Sequence, residues 1–359
     1  MPLLYYILDM KIALVYNIRH LKPSLTNKKA QEEAEFDSPE TIAGIKKALQ
    51  EKGHTVELVE TNTQTYGKLK RLKGKIDLVF NYSEGVAGQD REAQIPAMLE
   101  SLQIPYTGSK PLTSAILLDK ARTKEILAFH NLPTPAWKLI RNTSFRGESL
   151  ERLIKDSLKN DGIKFPIFVK PNLEGSSKGI FNDSLVEDFD SLMKITKRTI
   201  TQYSHGALLE NYLPGKEFTV GMLKNGDAWQ VLPIIEVSFG ELPTGVKPFD
   251  SYEAKWIYDS PENGFDPLTC PAKISSHLKS EIENICTRAC EALDVLDWCR
   301  IDLRLDGKGK PNIIEINSPP GIMPDPKENS RLPRAARVAG LKFPDLLERI
   351  IIAACYRYS

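Results

Sequence analysis

Two carboxylates and a carboxamide stand at a spacing that suits metal-assisted phosphate chemistry. Asp302 lies in Arg300-Ile301-Asp302, and thirteen residues later comes Glu315-Ile316-Asn317, followed by Ser318-Pro319-Pro320-Gly321. Apolar Ile301, Leu303 and Leu305 alternate with Arg300, Asp302 and Arg304, and Ile314 and Ile316 alternate with Glu315 and Asn317, so both runs read as strands. The tract Asp306-Gly307-Lys308-Gly309-Lys310-Pro311 between them can close a hairpin, because glycine tolerates positive φ. Such a hairpin gathers Asp302, Glu315 and Asn317 on one face. Three hard oxygen donors suit Mg²⁺ bridging nucleotide phosphates better than zinc. Taken alone, the same spacing also describes a hairpin with a solvated charged face.

Further residues could hold a nucleotide. Lys170 ends the strand Pro166-Ile167-Phe168-Val169-Lys170 and is followed by Gly175-Ser176-Ser177-Lys178-Gly179. Small residues let backbone N–H groups approach phosphate oxygens, and a lysine adds a point charge. A plain β-turn is the alternative for this tract. Glu210, before Asn211-Tyr212-Leu213-Pro214-Gly215, stands where a hinge could accept a hydrogen bond from an adenine amino group, and Glu217 could take ribose hydroxyls. Lys120, within Leu118-Asp119-Lys120-Ala121-Arg122, reads by itself as an exposed helix lysine.

These groups need a scaffold, and 359 residues are too many for one core. The order of the first hundred residues is strand 11–16, helix about 40–52, strands 55–60 and 76–80, helix about 92–102 and a strand near 104–107. That alternation predicts a parallel sheet with helices on its faces and ligands beyond the strands' carboxyl ends. Gly53 is a helix stop, and 17–38 forms a long polar connection. A second unit, 109–210, carries helices at 113–129 and 185–201 and strands at 166–170 and 207–210. The third, 211–359, opens with a strand from Glu217, carries a loop over 240–271 and closes with the helix Phe343 to Ala354.

Composition excludes several classes. With 26% charged residues and a net charge of +1, there is no basic stripe for a nucleic acid. No run is long enough to span a membrane, and Pro2 to Leu8 lacks the marks of a secretory signal. Residues 1–9 are expected to be a peripheral extension. Five cysteines, an odd number, point to a reducing compartment. Cys286 and Cys290 fall in the helical stripe Ile274, Leu278, Ile282, Ile285, Ala289, Leu293, where cysteine is a small buried hydrophobe.

In order along the chain, Pro105-Tyr106-Thr107-Gly108-Ser109, Asp119-Lys120, Val169-Lys170-Pro171, Glu174-Gly175-Ser176-Ser177, Glu217-Phe218-Thr219-Val220, Tyr252-Glu253-Ala254-Lys255, Arg300-Ile301-Asp302 and Glu315-Ile316-Asn317 resemble the motifs of ATP-grasp enzymes, specifically the D-alanine–D-alanine ligase family. The likeness runs from about Ile76 to the last helix. It implies an α/β (α+β) ATP-grasp fold with a Rossmann-like N-terminal lobe, three lobes in all, in a cytoplasmic enzyme that is usually a homodimer. The resemblance implies that Lys120 and Lys170 contact the phosphates of ATP, that Glu210 and Glu217 hold adenine and ribose, and that Asp302, Glu315 and Asn317 bind two Mg²⁺, with Mn²⁺ as the alternative ion. It further implies that Gly175, Ser176 and Ser177 belong to a loop covering the phosphates, that Lys255 stands near the transferred phosphoryl, and that Arg300 and the backbone at Gly321 stabilise the intermediate and the second substrate's carboxylate.

The implied reaction joins two amino acids. ATP turns one carboxylate into an acyl phosphate, and the amine of the second substrate displaces phosphate. D-Alanyl-D-alanine is the single product to expect first. Agreement is poorest where substrates would bind. The family's glutamate after the first strand has no counterpart in Tyr16-Asn17-Ile18-Arg19-His20-Leu21-Lys22, and Asn81-Tyr82-Ser83-Glu84-Gly85 replaces its His-Gly loop. Glu84 is a candidate ammonium anchor there, or a surface glutamate. Trp256 stands where the D-alanine enzymes have tyrosine, and an indole cannot accept a hydrogen bond as a phenol does. The segment Ile322 to Ser330 is longer than in the family, so Ser330 joins Glu84 and Trp256 on the substrate side. Two other readings are a related ligase acting on a different carboxylate in specialised metabolism and a nucleotide-binding protein without catalysis. Loops 172–179 and 240–271 are expected to close over ATP.

Overall fold

A computed structural model of the protein describes residues 9–141, 149–203, 205–239, 247–258 and 266–359. The expected extension therefore lies almost wholly outside the described residues, as do 240–246 and 259–265 of the loop expected to close over ATP. Strands β1 (Lys11–Tyr16), β2 (Thr55–Glu60) and β3 (Leu78–Tyr82) form a parallel sheet in the order β2-β1-β3. Alternation along β1 sends Ile12 and Leu14 to one core, with Ile42 and Ile45 of helix Pro39–Glu51 and Leu346 and Ile350 of the final helix Phe343–Tyr358. Ala13 and Val15 face the opposite core, with Leu69, Ile95 and Leu99. Both faces are covered, as parallel sheets require. Each fully buried aliphatic side chain here contributes about 1.5–3 kcal/mol relative to exposure.

Several details differ from the expectations. The third strand starts at Leu78 instead of 76, and 104–107 contributes only a single bridge, Val79 to Tyr106. Helix Thr65–Leu72 was not anticipated, and the polar connection 17–38 holds a helix, Lys28–Glu32, and a 3₁₀ turn, Glu33–Glu35. The Asn27 side chain caps that helix by accepting from Lys29 and Ala30 N–H. The stop at Gly53 is borne out, with φ at +93°.

The second sheet is antiparallel, with β4 (Trp137–Ile140), β5 (Ile167–Pro171), β6 (Leu185–Val186) and β7 (Ala207–Asn211) in the order β4-β7-β5-β6. Ile167 and Val169 pack with Leu209 and with Leu192 and Ile195 of helix Phe189–Gln202. The alternate residues, Phe168 and Lys170, are left for the other face. The helix expected at 113–129 is two helices, Pro111–Leu118 and Lys120–Phe129. Asp119 breaks it: its backbone is extended and its side chain accepts from Arg122 N–H, a cap for the second helix. The helix expected from 185 starts at Phe189, because Leu185 and Val186 pair with β5.

The third sheet contains β8 (Glu217–Asn225), β9 (Ala228–Val231), β10 (Ile235–Val237), β11 (Leu268–Thr269), β12 (Trp298–Leu305) and β13 (Pro311–Asn317). Its order is β11-β10-β8-β12-β13, with β9 also on β8. Phe218, Val220, Ile301, Leu303 and Ile313 pack against Ile282, Cys286 and Ala289 of helix Ser276–Ala292, so these cysteines do behave as small core hydrophobes. All five cysteines are free. Among the described residues no helix is long and apolar enough to cross a membrane.

Candidate active site

The expected hairpin forms, and its register brings the three oxygen donors together. Asp302 pairs with Glu315 and Arg300 with Asn317 across β12 and β13. Asn317 Nδ2 donates to Asp302 Oδ2 at 3.3 Å. Asp302 also accepts Arg300 at 3.0 and 2.8 Å and the Thr219 hydroxyl at 2.6 Å. Burial by itself would raise this carboxyl, but Arg300 and Arg331 outweigh it and hold its pKa at about 2.

Lys120 departs from the simple sequence reading. It is buried rather than exposed, because Asp119 starts its helix and turns it inward. Its Nζ lies 2.9 Å from Glu315 Oε1 and donates to the Glu174 carbonyl at 2.6 Å. Burial opposes charge on Glu315, yet Lys120 and Lys170 lower its pKa below the ordinary value. Both carboxylates are therefore ionised at neutral pH.

Glu210 is more heavily engaged than an adenine acceptor needs to be. Its two oxygens lie 2.7 Å from Lys124 Nζ and 2.8 Å from Lys170 Nζ, with all three side chains buried. The two lysines overcome burial and bring Glu210 to about 2, while burial brings Lys124 down to about 8. Lys124 also donates to the Thr134 hydroxyl at 2.7 Å.

The loop after β5 has an unusual backbone. Ser176 and Ser177 both adopt positive φ, 49° and 60°, a conformation uncommon outside glycine that collects at functional sites. Gly179 is required, since a Cβ there would lie 2.5 Å from Pro171. A residue from the first sheet's connection holds this loop: Glu35 Oε1 accepts Gly175 N–H at 2.7 Å. Arg91 grips the same carboxylate at 2.6 and 2.7 Å and donates to the Leu173 carbonyl at 2.9 Å.

A cavity lies where the second and third sheets face each other. Lys120, Lys170, Gly175, Ser177, Glu210, Glu217, Asp302 and Glu315 line it, so eight of the expected residues converge. Its apolar part is Phe168, Ile180, Leu213, Phe249 and Ile314, with Phe168 and Phe249 meeting edge to face at 4.9 Å. Glu217 pairs with Arg304 at 3.2 Å, and burial, only partly offset by Arg304, raises it to about 7. Arg331, also lining the cavity, pairs with Asp250 at 2.8 Å.

Lys255 and Trp256 lie in a short π-helix, Ala254–Tyr258. Trp256 Nε1 donates to the Ser176 carbonyl at 2.9 Å, so the indole acts as a donor to the loop. Burial lowers the Lys255 pKa, an effect that Asp250 partly offsets. Ser176, Lys255, Trp256, Arg300, Asn317, Glu84, Ser330 and Gly321 do not line the cavity. Burial, reinforced by Glu92 and Glu35, pushes the Glu84 carboxyl well above its ordinary value, which favours a neutral group and weakens it as an ammonium anchor. The Ser330 hydroxyl accepts Met323 N–H at 2.9 Å, and Gly321 is exposed beside Ile322, whose N–H donates to Tyr82.

Asp302, Glu315 and Asn317 fit a hard divalent ion. Two ionised carboxylates and an amide oxygen within one hairpin leave room for phosphate and water oxygens, as Mg²⁺ prefers. No cluster of three or more His, Cys, Asp or Glu side chains among the described residues offers a closed cage. Sequence reasoning missed Glu35, Arg91, Lys124, Arg304, Arg331 and Asp250. Asp119, a capping residue inside an apparently continuous helix, was the available signal for Lys120 and Lys124. Glu35 and Arg91 carried none, because their partner loop lies more than eighty residues further on.

Comparisons with known proteins identify the family. A family profile described as "D-ala D-ala ligase C-terminus" matches residues 126–352. The uncharacterized protein y4sG of Sinorhizobium fredii (strain NBRC 101917 / NGR234) is 34% identical over 317 residues, covering 87% of this chain and 86% of its own. The D-alanine–D-alanine ligase of Haemophilus influenzae (strain PittEE) is 29% identical over 322 residues, covering 90% and 96%. The crystal structure of the D-alanine–D-alanine ligase from Bacillus anthracis complexed with ATP superposes with a TM-score of 0.69 at 22% identity, covering 96% of this chain and 97% of that one. The expected fold is therefore borne out, and this chain belongs to the D-alanine–D-alanine ligase-like family of ATP-grasp proteins.

Proposed function

We propose that the protein is an ATP- and Mg²⁺-dependent carboxylate–amine ligase that joins two amino-acid substrates, organised as lobes 1–108, 109–210 and 211–359. The observation that carries this reading is the cavity in which Lys120, Lys170 and the Gly175–Ser177 loop face the Asp302 and Glu315 carboxylates beside an apolar slot. ATP would lay its base among Phe168, Leu213, Phe249 and Ile314, with Glu217 at the ribose and the lysines at the phosphates. Glu210, fixed by Lys124 and Lys170, orients those lysines as well as bordering the base. Asp302, Glu315 and Asn317 would hold Mg²⁺, which supplies charge neutralisation to the phosphates.

The acid substrate's carboxylate oxygen forms a bond to the γ-phosphorus as the bond to the β-bridging oxygen breaks, giving ADP and an acyl phosphate. The second substrate's amine attacks the acyl carbon and loses a proton, and the C–O bond breaks to release phosphate. Lys255, half-buried and without a carboxylate partner among the described residues, supplies charge at the phosphoryl. Arg300, whose Nε and Nη2 hold Asp302, has its Nη1 left to donate to the oxyanion.

D-Alanyl-D-alanine is the first product to test. A related ligase acting on another carboxylate is the second reading, and one observation favours it: Trp256 uses its only donor on the Ser176 carbonyl and offers substrate no phenolic acceptor. Phosphate release from ATP and Mg²⁺, scanned over single and paired D- and L-amino acids with mass spectrometry of products, decides between them. Tight ATP binding without release under any pair would instead mark a non-catalytic nucleotide-binding protein.

A further inference from the structure

The cations around the cleft divide into two groups. Arg91, Lys120, Lys170, Arg300, Arg304 and Arg331 each have a carboxylate within 4.0 Å. Arg19 and Lys255 have none among the described residues. Both are half-buried, and both lie against one ring: Arg19 Cζ is 5.1 Å and Lys255 Nζ 5.4 Å from the Trp256 indole centroid. Asp37, Glu40 and Glu328 influence Arg19 only from beyond ion-pair distance. The Asp37 carbonyl accepts Arg19 N–H at 2.8 Å, a backbone bond that leaves the guanidinium uninvolved.

The ligase reading accounts for Lys255, whose missing anion is the transferred phosphoryl. It leaves Arg19 without one. Arg19 follows β1, in the first sheet, whereas the nucleotide cavity lies between the second and third; neither Arg19 nor Lys255 lines that cavity, and both stand beside it on Trp256. A guanidinium stacked on an indole keeps its edge N–H donors free for a planar anion, and its orientation is set in advance by the ring. An anion at Arg19 and a carboxylate undergoing activation at Lys255 would share the Trp256 ring, which is the relationship between the two ends of one short molecule.

We propose that the acid activated by this enzyme carries a second anionic group, as in a four- or five-carbon dicarboxylic amino acid, and that Arg19, laid on Trp256, binds that group. This rests on the second ligase reading, a ligase for a carboxylate other than D-alanine, and specifies its acid substrate. Trp256 is then a platform for Arg19 as well as a tether for the Ser176 carbonyl.

The test compares glutamate with glutamine and aspartate with asparagine, as both enantiomers, in ATP-dependent phosphate release with an amine co-substrate. Each pair differs only in the second carboxylate. The wild type is expected to favour the acid over the amide by about tenfold or more in kcat/KM, the scale of one charge-assisted hydrogen bond. Arg19→Gln is expected to bring that ratio near one, and Arg19→Lys to restore part of it. A wild-type preference for the amides or for neutral amino acids, or a ratio unchanged in Arg19→Gln, overturns the proposal and leaves the ligase reading intact. If no acid elicits phosphate release, the ligase reading fails. Calorimetry of glutamate against glutamine, with a non-hydrolysable ATP analogue and Mg²⁺ present, then decides the Arg19 site independently: preferential glutamate binding lost in Arg19→Gln supports it, and equal or absent binding overturns it.

Discussion

The Nζ of Lys120 lies 2.9 Å from Glu315 Oε1 although the two residues are 195 positions apart, and the same nitrogen donates to the Glu174 carbonyl. One lysine thus ties the start of a helix to the loop after β5 and to the acidic hairpin. Removing it by Lys120→Met leaves Glu315 with less compensation in a half-buried site. The expected loss of stability is about 2 kcal/mol, between the scales of exposed and buried pairs, read by urea denaturation. A double-mutant cycle with Glu315→Gln should return a coupling of about 1 kcal/mol or more. Additive effects would show that the pair does not act as a unit.

The Asp302 and Glu315 carboxylates each neutralise a cation, so alanine at either position would confound folding with catalysis. Asp302→Asn and Glu315→Gln keep size and one acceptor oxygen while removing charge. Each should reduce ATP turnover by about a hundredfold or more, on the scale of losing a group that stabilises developing charge, with circular dichroism unchanged. Turnover within a few-fold of the wild type in either variant would remove that carboxylate from the proposed metal set.

Glu35 reaches from the connection between β1 and β2 to the Gly175 N–H. Glu35→Ala deletes both that acceptor and the Arg91 partner. Amide hydrogen exchange across 173–179 should quicken by about tenfold or more, because each lost hydrogen bond to a charged group is worth about 1.5–3 kcal/mol. The KM for ATP should rise with it. Protection equal to the wild type would show that the loop is held by its own geometry.

Stability should depend on pH in two opposing ways. Glu210 and Asp302 sit at about 2 in the fold, below their ordinary 4.5 and 3.8. A depressed carboxyl adds stability that is full above its unfolded value and is lost as pH falls through the folded one, here about 2–3 kcal/mol for each group. Glu92 and Glu217 are raised to about 7. A raised carboxyl adds stability that is full below 4.5 and fades as pH rises through 7. Denaturant unfolding from pH 2 to 8 should therefore give a maximum near pH 4.5–5, and a steady rise to pH 8 would contradict these environments.

What the sequence determined by itself was whatever depends on neighbours in the chain. The two-residue period of 300–305 and 314–317, with glycines between, specified a hairpin, and the hairpin specified that Asp302, Glu315 and Asn317 share a face. The strand at 11–16 and the helix at about 40–52 were legible for the same reason. Tertiary structure decided the charges. Whether Lys120 is a solvated helix lysine or a buried partner depends on Glu315, far along the chain, and on the break at Asp119. Glu210 became a bridge between two lysines only when β5, β7 and the helix from Lys120 met. Glu35, inside a polar tract without periodicity, acquired its role when Arg91 and Gly175 closed on it. Coulomb energy depends on distance in space and on burial, and neither is written in local spacing.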